Sequence, residues 1–67
     1  MMSEYYAIYD LNKQKYFVAS SSITVEWSSS GLLAKWFCSK LAAKIFIRMN
    51  KWLQRKNTLC IEVIAKF

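Results

Sequence analysis

Histidine and proline are absent from this chain of 67 residues, glycine occurs once, and four acids stand against ten lysines and arginines. Each shortage excludes something. Without histidine the chain lacks the commonest general base and metal ligand. Without proline, and with Gly31 alone, turns must be built by Asn, Asp and Ser, and a long flexible linker is not expected. A glycine-rich phosphate loop cannot be formed. The two cysteines, Cys38 and Cys60, lie far apart in sequence with no histidine to join them, which does not make a zinc site. The acids Glu4, Asp10, Glu26 and Glu62 fall in separate segments with no catalytic spacing. The expectation is a protein that is not an enzyme, with no cofactor, no metal and no small-molecule substrate.

Long uncharged runs are also missing. No 18-residue window is free of charge, so no membrane span is expected. The opening "MMSEYYAIYD" has no basic segment followed by an apolar run, so a secretory signal is not expected either. Both point to the cytoplasm, where Cys38 and Cys60 would stay reduced and behave as small hydrophobes.

What is present is apolar and aromatic. Hydrophobic residues make up 55 % and aromatics 16 %, enough for one small domain over residues 1–67 rather than a disordered chain. "EYYAIYD" alternates with period two and reads as a strand, "DLNKQK" as a hairpin turn, and "KYFVAS" as the returning strand. "ITVEW", bracketed by two serine triplets, either extends that second strand past a bulge or forms a short strand of its own. Ser29 or Ser30 offers a helix cap. The closing "TLCIEVIAKF" alternates again and should pair beside the hairpin.

Between these lies a helix. At 100° per residue from Lys40, the cations Lys40, Lys51, Lys44, Arg55 and Arg48 fall at about 0°, 20°, 40°, 60° and 80°, while Leu41, Trp52, Ile45, Met49 and Leu53 fall between about 100° and 220°. The wheel predicts an amphipathic helix over about 39–56, with a basic stripe beside an apolar arc that covers the sheet. Carried backward, the same wheel puts Leu33 and Phe37 inside the stripe, so the helix must begin later, with Ser39 as its cap. A short helical turn near 30–34 and an extended "AKWF" precede it, and Asn57 stops it. The expected fold is α+β: a ββ(α)αβ two-layer sandwich, with a small antiparallel sheet covered on one face by one main helix.

The pattern resembles a type of small bacteriophage and prophage protein. Such proteins have an aromatic hairpin, a "W…AxxFxSxxxA" segment and a closing "IxEV"-like strand. The matching residues are Tyr5, Tyr6, Tyr16, Trp27, Ala34, Phe37, Ser39, Ala43, Ile61, Glu62 and Val63. The resemblance spans nearly the whole chain and implies the same α+β fold. It also implies a phage-type accessory role, such as inhibition of host machinery or a host defence system by occupying a partner surface. It would place the chain in the host cytoplasm. Proteins of this type carry Glu as well as Lys on the main helix; this chain has no acid there.

That omission is the functional signal. Seven cations and no acid lie between Trp27 and Ile61. Like charges at i,i+4 oppose helix formation by a few tenths of a kcal/mol, roughly, per pair. Folding therefore supplies no reason for the stripe. A solvated face whose long stems cover apolar surface is one account; contact with an anionic partner is the other. The candidate partner-binding residues are Lys40, Lys44, Arg48, Lys51 and Arg55, with Trp52 bordering them and Tyr6 and Tyr16 as outward rings of the hairpin. The expected partner is an acidic protein surface, or alternatively nucleic acid contacted through its phosphates. An exposed aromatic sheet face would also permit a homodimer. A membrane surface ranks last, because the apolar arc is needed to cover the sheet.

Overall fold

The computed structural model describes residues 3–67. Its elements are strands β1 (Glu4–Asp10), β2 (Lys15–Ser20) and β3 (Val25–Ser28), a 3-10 turn over Gly31–Leu33, helix α1 (Lys40–Met49) and strand β4 (Leu59–Lys66). The strands form one antiparallel sheet in the order β3-β2-β1-β4, with α1 on one face, so the α+β two-layer expectation holds. The "ITVEW" segment contributes a strand of its own, paired to β2 across a bulge between Phe17 and Ala19.

The first hairpin turns on Asp10. Its carboxylate accepts the Asn12 N–H at 2.9 Å while its carbonyl accepts the Gln14 N–H at 2.8 Å. The second hairpin turns on Ser21, whose hydroxyl accepts the N–H groups of Ile23 and Thr24. Serine and aspartate do here what glycine and proline do elsewhere, by offering a side-chain oxygen to the backbone two or three residues on.

After the turn, β1 and β2 pair directly only at Tyr9↔Tyr16 and Asp10↔Lys15. Beyond that they part, and residues 35–37 fill the notch. The Lys35 N–H donates to the Phe17 carbonyl at 3.0 Å, and Tyr6 and Phe37 exchange backbone hydrogen bonds at 2.9 and 2.8 Å. The chain thus passes from one face of the sheet to the other. Before the notch, Gly31 lies against Tyr16 and Ile64, and within it the Trp36 ring lies 5.6 Å from the Tyr5 ring. After it, Phe37 joins the core under α1. The second sheet face is therefore partly roofed by the chain itself, and Ala7 upon it is buried.

The core comprises Ile8, Phe17, Phe37, Ala43 and Leu53. Phe46 of α1 sits with its ring 5.4 Å from Phe17 and 5.2 Å from Phe37. Ser39 caps the helix as expected, its hydroxyl accepting the Ala42 N–H at 3.1 Å. Ser30 caps the 3-10 turn in the same manner.

The helix departs from the sequence reading in two ways. First, it ends at Met49 rather than near residue 56, and Asn50, not Asn57, stops it. Asn50 is extended, with φ −103° and ψ 120°, and its side-chain oxygen accepts the Trp52 N–H at 2.8 Å. Its carbonyl then accepts from Leu53 and Gln54, so a separate turn starts there. An asparagine that caps the next turn in this way releases the helix before it.

Second, the arc facing the sheet is Phe46, Ala43 and Ile47, at about 240°, 300° and 340° on the wheel. Ala43 is wholly buried, while Leu41, Ile45 and Met49 are 66 %, 49 % and 82 % exposed. The small Ala43 lets the helix sit close to the sheet with the larger side chains on either side. Alanine substitution of Leu41, Ile45 or Met49 should accordingly change stability by no more than about 0.5 kcal/mol each, as at ordinary surface positions. Urea denaturation checks this. Losses of about 2 kcal/mol or more would mean that these side chains are buried after all.

Candidate functional site: the outer face of helix α1

The exposed side of α1 carries two parallel rows at i, i+4, i+8. One is Lys40, Lys44 and Arg48; the other is Leu41, Ile45 and Met49. All six side chains are exposed. Residues four apart stand above one another on a helix surface, so each row is continuous over about 12 Å.

Among the described residues no carboxylate neutralises the cations. Among the described residues the ion pairs are Lys56–Asp10 at 3.2 Å and Lys66–Glu4 at 3.9 Å, neither of them on this face. Nor does helix electrostatics favour the arrangement throughout. Arg48 lies in the last turn, where a cation suits the helix dipole, but Lys40 lies in the first, where it does not, and that turn has no acid.

The other site candidates are placed differently. Lys51 follows the break at Asn50. Its ammonium donates to the Ser22 carbonyl and lies 5.4 Å from the Trp52 ring centroid. Trp52 is half-buried against the core and donates its indole N–H to the Ser21 carbonyl at 2.9 Å. With Asn50 Nδ2 on Ser20 Oγ at 2.9 Å, residues 50–52 form a clamp on the turn between β2 and β3. Arg55 is exposed on the turn beyond, outside the helix whose geometry would have aligned it with the others. Of the five expected cations, α1 therefore aligns three.

The two tyrosines make internal bonds. Tyr6 packs against the core and donates its hydroxyl to Glu4 at 2.9 Å; that bond, burial and the Glu4 charge raise its pKa. Tyr16 lies on the opposite face, edge-on to Tyr9 at 4.8 Å, and donates to Glu62 at 3.2 Å. Burial, with help from Glu62, raises its pKa too. Both phenols are thus neutral donors at physiological pH. Cys60 is half-buried, and burial and the Glu62 charge push its thiol up, which disfavours the nucleophilic thiolate.

The apolar row was not legible as a surface feature. The signal that could have found it was Asn50 with Trp52 two residues on, a capping arrangement that breaks the helix. Ending the wheel at Met49 removes Trp52 and Leu53 from the arc of Leu41, Ile45 and Met49. Comparison of the chain with protein-family models, with curated proteins and with solved structures finds no match.

Proposed function

We propose that this chain is a non-enzymatic binding module, a phage-type accessory protein that acts by occupying an anionic partner surface with the outer face of α1. The observation that carries the reading is the row Lys40, Lys44 and Arg48, aligned, exposed and without a carboxylate partner among the described residues. The resemblance of the hairpin and closing strand to small phage proteins supports the accessory role. Nucleic acid remains the second reading, because three cations on one helix face can follow phosphates. It leaves the row Leu41, Ile45 and Met49 without a use, since phosphate contacts need only the cations.

Folding and binding should respond to Lys40 with opposite signs. Lys40→Glu puts an acid in the first helical turn and opposite to Lys44 at i,i+4, so stability should rise by about 0.5 kcal/mol. Binding to an anionic partner should weaken. Elution from a polyanion resin in a salt gradient measures the second effect. A Lys40→Glu, Lys44→Glu, Arg48→Glu variant should leave the resin at much lower salt than a Lys13→Glu, Lys15→Glu, Lys35→Glu variant of identical net charge. Equal elution of the two would show that only net charge matters and would remove the reading.

A further inference from the structure

We infer that the anionic surface α1 meets is a lipid bilayer, with the helix lying in the headgroup plane rather than crossing it. The inference rests on the α1 docking reading and names the partner of that face. No helix among the described residues is long and apolar enough to span a membrane, so only a surface mode is in question.

A membrane surface is disfavoured only where Leu41, Ile45 and Met49 are needed to cover the sheet. Phe46, Ala43 and Ile47 cover it instead, and the aliphatic row points outward. An interfacial helix needs an aliphatic row that can enter the acyl boundary and basic side chains that reach anionic headgroups beside it. Lysine and arginine suit that position, because their stems lie along apolar surface while their charges stay in the polar layer. A second exposed aliphatic group lies beyond the C-terminal end of the helix. Ile23, 85 % exposed, stands at the tip of the turn that Asn50, Lys51 and Trp52 clamp.

Composition separates a bilayer from the other anionic partners. Cores of protein interfaces are enriched in aromatic residues, Met and Arg and depleted in Lys, with aromatic anchors carrying much of the energy. The α1 face has two lysines, one arginine, three aliphatic side chains and no aromatic ring. Nucleic acid would leave the aliphatic row in water. A second copy of this chain would set the two cation rows against each other with no acid on α1 to compensate. A bilayer holding anionic lipid suits both rows at once.

The test is co-sedimentation with vesicles of phosphatidylcholine, with and without phosphatidylglycerol. The native chain should partition onto the anionic vesicles and stay in solution with the neutral ones. Reversing Lys40, Lys44 and Arg48 to Glu should lower the partition coefficient by a hundredfold or more, roughly, at the strength usual for basic residues near an anionic leaflet. A Leu41→Ser, Ile45→Ser, Met49→Ser variant keeps every charge and should still lose about tenfold or more. Retention of the native circular dichroism and melting transition in each variant establishes that the fold survives. If the serine variant partitions like the native chain, or the native chain ignores anionic vesicles, the bilayer is excluded. Duplex DNA, or an acidic amphipathic peptide, that binds where vesicles do not would also exclude it. The polyanion elution test is independent. Its success alongside vesicle failure overturns the bilayer alone, and its failure overturns the docking face as well.

Discussion

Asp10→Ala should destabilise the fold by about 3 kcal/mol or more, because it removes a buried carboxylate that bonds three donors, and hydrogen bonds to a charged group contribute about 1.5–3 kcal/mol each. Asp10 is wholly buried at the end of β1. It accepts from Thr58 Oγ1 at 2.8 Å, from the Asn12 N–H at 2.9 Å and from Lys56 Nζ at 3.2 Å. The carboxylate thus ties the first turn to the segment that leads into β4. A domain of this length is expected to have about 3–10 kcal/mol in total, so the variant should be largely unfolded or close to it. The opposite partner matters less. Lys56→Met leaves the buried Asp10 carboxylate without its counter-charge, but the Thr58 hydroxyl and the Asn12 N–H still bond it, so the loss should be about 1–2 kcal/mol. Urea midpoints of the two variants provide the comparison; equal losses would show that the charge pair rather than the hydrogen-bond junction holds this end together.

The same residue sets an acid limit. Burial alone would raise the Asp10 pKa, but the Thr58 hydroxyl, the Asn12 N–H and the Lys56 ammonium outweigh it and hold the group below its ordinary value. The folded state therefore binds this proton less readily than the unfolded one. The resulting stability is present above the unfolded carboxyl value of about 3.9 and is lost as pH falls through the lower folded value. Asp10→Asn should flatten that acid arm of the stability profile. At the alkaline end the signs reverse. Tyr6 and Tyr16 have raised folded pKa values, so their contribution is complete below about pH 10 and declines as pH rises through the folded values.

Phe17→Ala is the other large loss, about 3–5 kcal/mol for an aromatic ring removed from a packed core. Phe17 is fully buried, with Phe46 at 5.4 Å and Trp27 at 5.8 Å between ring centroids. Its carbonyl also receives the Lys35 N–H, so the residue joins β2 to the crossing segment as well as to α1. Chemical denaturation gives the value. A loss under about 1 kcal/mol would mean that the three-ring contact is not the centre of the fold.

Much of the architecture could be read from residues alone. Period-two alternation in "EYYAIYD" and "CIEVIAKF" located the two longest strands, since a sheet with two unlike faces requires it. The clash of phase at Leu33 and Phe37 located the break before Ser39, and the caps at Ser30 and Ser39 followed from hydroxyls set before apolar runs. The helix orientation could not be read so. A wheel counts apolar side chains, and Leu41, Ile45 and Met49 outnumber Ala43 in apolar bulk. Which side faces inward depends on tertiary fit. Phe46 must meet Phe17 and Phe37, brought from β2 and the crossing segment, and Ala43 must allow the close approach. The candidate site was legible in the same measure. The three cations on α1 were visible because helical spacing is local. The use of Lys51 and Trp52 on the turn between β2 and β3 was not, because that contact spans about thirty residues of sequence.

Residues 35–37 bond to β1 and β2 at once, which bears on how the chain reaches its native state. The first hairpin has only two directly facing pairs of its own, and a two-stranded ribbon that short does not persist in water. Its inner edge closes only when Phe37 returns to Tyr6, after the intervening loop has been gathered in. Because β4 must also travel back to β1, non-local closures dominate, and such topologies assemble in milliseconds to seconds rather than microseconds. Amide protons of Tyr6 and Phe37 should then exchange with deuterium at one common rate, since either bond opens only when the threaded segment leaves the notch.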